Sequence, residues 1–142
     1  MIKSVWCQRY MKLPEPATGD QVVLSLDTAL KADARNDYTD CTVWRRCGNG
    51  HYLQHLYGER LEFPDLKRQV QVWARSWNAS AVLVEDAGAG STPIQDLRGE
   101  TGPSVIGIVP KNGKQTRMMA VRLIIEAGRV SLPDEATWRR RE

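Results

Sequence analysis

A chain of 142 residues, 42% hydrophobic and 26% charged, suits a single globular domain with one core. It contains no run of about 18 apolar residues and no apolar stretch near its N-terminus, so neither a membrane span nor a signal peptide is expected, and the cytoplasm is the expected compartment. A net charge of +3 is too small to argue for a nucleic-acid partner, and three cysteines without a Cys-x-x-Cys pair argue for reduced thiols over a disulfide framework.

Residues 1–20 carry Pro14 and Pro16 and read as an extended, linker-like lead-in, which leaves 21–142 as the domain proper. "VVLSLD" at 22–27 is a short strand, leucine-rich and apolar on both faces, that ends on Asp27. The polar stretch 29–40 reads as a loop. Residues 41–61 read as two strands around Gly48-Asn49-Gly50, a turn sequence that tolerates positive φ. In 63–77, Leu66, Val70, Trp73 and Trp77 recur at spacings of four, three and four behind Pro64, which predicts an amphipathic helix.

"AVLV" at 81–84 is a buried strand that runs into Glu85 and Asp86. Residues 91–99 form a short capped helix stopped by Gly99, and 104–110 another buried strand. A helix is predicted over 113–128, with Met118, Val121, Leu123, Ile124 and Ile125 as its apolar side, and a short extended piece over 129–133. The fold class is therefore α/β: three antiparallel strands, then βα units that extend the sheet in parallel, with flanking helices.

Right-handed crossovers place the strand at 81–84 beside the strand at 22–27. Adjacent strands lie about 4.8 Å apart, so Asp27 and Glu85 would face one crevice beyond the C-terminal ends, where open α/β sheets bind ligands. Two carboxylates that close repel each other. Solvent, a raised pKa or a hard divalent cation, Mg²⁺ or Mn²⁺, would relieve the repulsion. Two such ions about 3.5–4 Å apart can support phosphodiester hydrolysis. A second cluster, Cys41, Cys47, His51 and His55, offers zinc-ligand types at a spacing that matches no standard finger. Free thiols and surface histidines account for it more simply.

Four stretches carry a resemblance: "LSLDTALKADARNDYT", "VLVEDAGAGSTPIQDLR", "PKNGKQTRMMAVRLIIEAGRVSLP" and "IKSVWCQRYMKLP". In order and spacing they resemble the C-terminal nuclease domain of phage terminase large subunits, which has a ribonuclease H-like fold. The resemblance implies a metal-dependent endonuclease that cuts concatemeric double-stranded DNA. It implies a packaging ATPase domain, a small terminase subunit and a portal as partners. Carried over, Asp27 and Glu85 would be catalytic metal-binding acids, with Asp37 of the Asp-Tyr pair as a further metal-site carboxylate. Lys114 and Arg117 would face DNA phosphate.

The family's third acid, in a helical Asp-Asp motif beyond the "LP…W" segment, has no match before Glu142. The glycines of "GIVPKNGKQT" are spaced wrongly for a nucleotide-binding P-loop. Two other readings therefore stand beside the nuclease. One is a non-catalytic prophage remnant that serves as a DNA-binding or assembly module. The other is a different ribonuclease H-like nuclease, such as a junction resolvase.

Overall fold

The computed structural model describes residues 6–27, 38–85, 97, 103–108 and 113–134. Among these, seven strands form one sheet: β1 (Gln8–Tyr10), β2 (Gln21–Asp27), β3 (Tyr38–Cys47), β4 (Gly50–Arg60), β5 (Ala81–Glu85), β6 (Ser104–Ile108) and β7 (Val130–Pro133). Helix α1 (Phe63–Ser76) follows β4, and helix α2 (Lys114–Glu126) connects β6 to β7. The sheet order is β1-β7-β4-β3-β2-β5-β6, with β3 antiparallel to both of its neighbours and every other pairing parallel. The strands at 22–27 and 81–84 are thus parallel neighbours, as the sequence predicts.

The β3–β4 hairpin closes at the pair Cys47–Gly50, with Gly48 at φ 57. That is the sign a type II′ turn demands at its first central residue, and glycine meets it without steric cost. β3 begins earlier than its sequence implies. Tyr38, Thr39 and Asp40 belong to the strand and pair with Arg60, Glu59 and Gly58. The polar character of "YTD" hides a strand because Thr39 is fully buried beside Cys41 while Asp40 lies on the opposite face.

α1 starts with Pro64 in its first turn, where a missing N–H costs nothing, and carries Asp65 at its start and Arg75 at its end, in line with the helix dipole. Leu66, Val70 and Trp73 are buried against Leu24, Leu26, Cys41, Val43, Val82 and Val84, and Leu97 joins the same cluster. Burying a side chain such as Leu or Val contributes about 1.5–3 kcal/mol, so this face supplies much of the stability.

α2 departs from the expected apolar side. Val121, Leu123 and Ile124 are exposed, and Ile125 is buried. At about 100° per residue Val121, Ile124 and Ile125 share a face and Leu123 lies off it, yet on that face Ile125 is the residue that is buried. The lead-in contributes β1, an edge strand paired with β7. Asp37 and all of the helix expected at 91–99 except Leu97 lie outside the described residues.

Candidate metal centre

β2 and β5 run side by side in the register Leu24–Val82, Ser25–Leu83 and Leu26–Val84. Asp27 on β2 and Glu85 on β5 each lie one residue beyond the last of these pairs. On the other flank of β2, Asp27 is paired with Asp40 of β3. The register therefore sets three acidic positions in one row across three adjacent strands: Asp40, Asp27 and Glu85.

Alternation fixes the face. Leu24 and Leu26 point into the core against α1, so Asp27 lies on the opposite side and is exposed. Asp40 alternates in the same way with buried Thr39 and Cys41 and is half-buried. Directly opposed residues of an antiparallel pair have Cα atoms about 4.5–5.5 Å apart, and like charges there are destabilising. The row thus concentrates carboxylate at the C-terminal edge of the parallel strands. Oxygen donors of this kind suit a hard divalent cation. Among the described residues, no three His, Cys, Asp or Glu side chains gather into one metal-binding group. The row is built from backbone positions, with Asp27 and Asp40 as its described side chains.

The sequence singles out Asp27 and Glu85, and the register brings both positions together. Asp40 escapes notice there because it follows a polar stretch. The available signal was the alternation of Thr39, Cys41 and Val43 with Asp40 and Thr42, which marks a strand start. Lys114 is the first residue of α2 and Arg117 lies within its first turn. β6 ends at Ile108 on the same edge of the sheet as Glu85. Six residue steps separate Ile108 from Lys114, which limits their separation to about 20 Å. The basic turn thus begins within that distance of the strand end that pairs with Glu85. A helix N-terminus with no acid in its first turn also favours a bound anion over the Lys and Arg placed there.

The cysteine–histidine cluster does not form a site. Cys41 and Cys47 pair with Tyr57 and Gly50 respectively, six residues apart along β3, or about 20 Å. Burial pushes the Cys41 thiol up to about 12, so it is an inert core group. The His55 ring lies tilted against Tyr57 at 4.3 Å and 5.9 Å from Trp77. All three cysteines are free. Asp20 accepts from Arg45 at 2.7 Å in a pair that is shielded from solvent. The Arg45 guanidinium holds the Asp20 carboxyl below its ordinary range, and the pair anchors the entry to β2.

The sequence pattern of the terminase RNaseH-like domain family matches residues 24–140. No match to the sequence was found among curated proteins. Among solved structures, the fold is similar to the large terminase nuclease of thermophilic phage G20c with bound magnesium. The TM-score is 0.66 at 12% identity, over 92% of this chain and 71% of that one. It is similar to the P22 large terminase nuclease domain, with a TM-score of 0.63 at 13% identity over 94% of this chain and 70% of that one. The large terminase of another thermophilic bacteriophage gives 0.64 at 13% identity, over 89% of this chain and 32% of that one. The architecture is the ribonuclease H-like fold of these nucleases.

Proposed function

Because this chain belongs to the family of terminase RNaseH-like domains, we propose that it is a metal-dependent DNA endonuclease acting in phage DNA packaging. Its substrate is concatemeric double-stranded DNA. It works beside a packaging ATPase domain, a small terminase subunit and a portal. The observation that carries the reading is the acidic row of Asp40, Asp27 and Glu85 at the C-terminal edge of β2 and β5.

Asp27 and Glu85 hold Mg²⁺ or Mn²⁺, and Asp40 adds a third carboxylate. Asp37, three residues before Asp40 in the sequence, is a further candidate ligand. When bound, such a cation supplies a nucleophilic water at neutral pH and offsets charge on the leaving oxygen. Asp27, Glu85 and Asp40 would fix the position of such a cation, and holding reactants in place removes much of the entropic barrier. Lys114 and Arg117 neutralise backbone phosphate. Lys does so as a point charge and Arg as a bidentate fork, which positions the duplex without reading bases.

The test is cleavage of supercoiled plasmid in Mg²⁺, in Mn²⁺ and in EDTA. Cutting is expected with either metal and absent in EDTA. Asp27→Asn should lower the rate by at least about 100-fold, and Asp40→Asn by about 10-fold, the range over which groups supporting a metal act. Folded protein that binds DNA but cuts it under no condition would replace this reading with a non-catalytic DNA-binding module. Cutting that survives EDTA would remove the metal from the reaction.

A further inference from the structure

The α2–β7 unit joins the rest of the sheet through β4 on one side of β7 and through the lead-in on the other. Among the described residues, β7 meets β4 through the pairs His51–Val130 and Tyr52–Ser131, with the His51 N–H donating to the Arg129 carbonyl at 2.7 Å. α2 itself leaves Met119, Val121, Leu123 and Ile124 in solvent. Such a unit needs a second support if Lys114 and Arg117, at its start, are to hold a fixed position.

The lead-in supplies one at four points. The Arg122 guanidinium of α2 lies 5.1 Å from the centre of the Trp6 ring, within cation–π range. The Gln8 amide covers the turn after α2: a Cβ on Gly128 would come within 3.2 Å of Gln8 Nε2. β1 pairs with β7 through Gln8–Ser131, Arg9–Leu132 and Tyr10–Pro133, and the Asp134 N–H donates to the Tyr10 carbonyl at 2.9 Å. Finally, the Tyr10 hydroxyl reaches past β7 to donate to the Leu53 carbonyl on β4, with its ring edge-on to Tyr52 at 5.6 Å. Residues 6–10 therefore touch α2, the following turn, β7 and β4 in succession.

We propose that Trp6 to Tyr10 form a strap that positions α2, so that Trp6 and Tyr10 are positioning residues for the DNA phosphate contacts of Lys114 and Arg117. This rests on the DNA-cutting reading above. The strap acts through the β1–β7 ladder, packing, one cation–π contact and one hydroxyl, and neither Trp6 nor Tyr10 itself carries a charge. Removing their contacts changes the salt dependence of DNA binding only by displacing the residues that do carry charge.

The experiment uses the full chain, with Trp6→Leu and Tyr10→Phe combined, and a Lys114→Ala/Arg117→Ala variant as reference. Binding to a duplex is measured in EDTA over a salt series, beside amide hydrogen exchange. The strap variant should bind about 10-fold more weakly, with a log K against log salt slope shallower by about 1–2, since each lost phosphate contact removes about 0.9. On the Lys114→Ala/Arg117→Ala background it should cause no further loss. Amides of 114–134 should exchange about 10-fold faster while those of β2 and β5 are unchanged, which separates local release from general unfolding. Unchanged exchange in 114–134 would overturn the strap. An unchanged slope, where the reference variant lowers it, would overturn the positioning role. Wild-type protein that binds no DNA would instead sink the DNA-cutting reading and the positioning role with it, leaving the exchange data to decide the strap alone.

Discussion

His55 lies on the core side of β4, packed between Tyr57 and Trp77, and burial pushes its imidazole pKa below the ordinary value. A histidine depressed in the folded state binds its proton more readily when unfolded. Its contribution is therefore complete above the unfolded pKa of about 6.5 and is lost as pH falls through the folded value. Asp20, held low by Arg45, acts with the same sign in a more acidic window, below the ordinary carboxylate range. The melting temperature should fall as pH drops from about 7 to about 5, and His55→Phe should flatten that fall. A variant that keeps the full slope would place the titrating group elsewhere. Single residues were unevenly legible in the sequence. Asp27 and Glu85 end apolar strands, where a carboxylate is conspicuous. Asp40 sits in a polar run and gains its meaning from the strand it faces.

Among elements, α1 and α2 make an instructive contrast. α1 has one apolar stripe, and Leu66, Val70 and Trp73 all go to the core. α2 has as many apolar residues distributed around its circumference, and of these Ile125 is the buried one described. Periodicity thus located both helices and oriented only the first. In urea denaturation, Leu123→Lys should change stability by less than about 0.5 kcal/mol, as exposed substitutions do. Ile125→Ala should cost about 2 kcal/mol or more, and Trp73→Ala about 3–5 kcal/mol. A Leu123→Lys penalty as large as that of Ile125→Ala would mean that α2 packs its other face in solution. The lead-in teaches the same lesson from the other side. "CQRY" has little strand character of its own, and β1 exists because β7 presents an open edge to it.

For the whole molecule, the sheet gathers acids from distant parts of the chain. Asp27, Asp40 and Glu85 come from three strands, and their juxtaposition depends on β2 standing between β3 and β5. A cation that binds this row holds folded chain and not unfolded chain, so it should raise the melting temperature by mass action. Metal at 100 times its Kd adds about 2.7 kcal/mol. Mn²⁺ should therefore shift the wild type upward and leave Asp27→Asn nearly unmoved. Equal shifts in both proteins would locate the metal away from the row.

Local features were readable from the residues alone: the strands at 22–27 and 81–84, the helix at 63–77 with its buried stripe, the glycine turn, and acids at two strand ends. These follow from periodicities of two and 3.6 and from the φ preferences of glycine and proline, all of which act between near neighbours in the chain. Other features came into being with the assembled sheet: Asp40 faces Asp27, β1 enters beside β7, and Ile125 is buried while Val121, Leu123 and Ile124 stay in water. The physical reason is that strand pairing is non-local. Each pairing gains its free energy from a partner far along the chain and must offset the entropy of closing the intervening loop, so no single segment carries the signal.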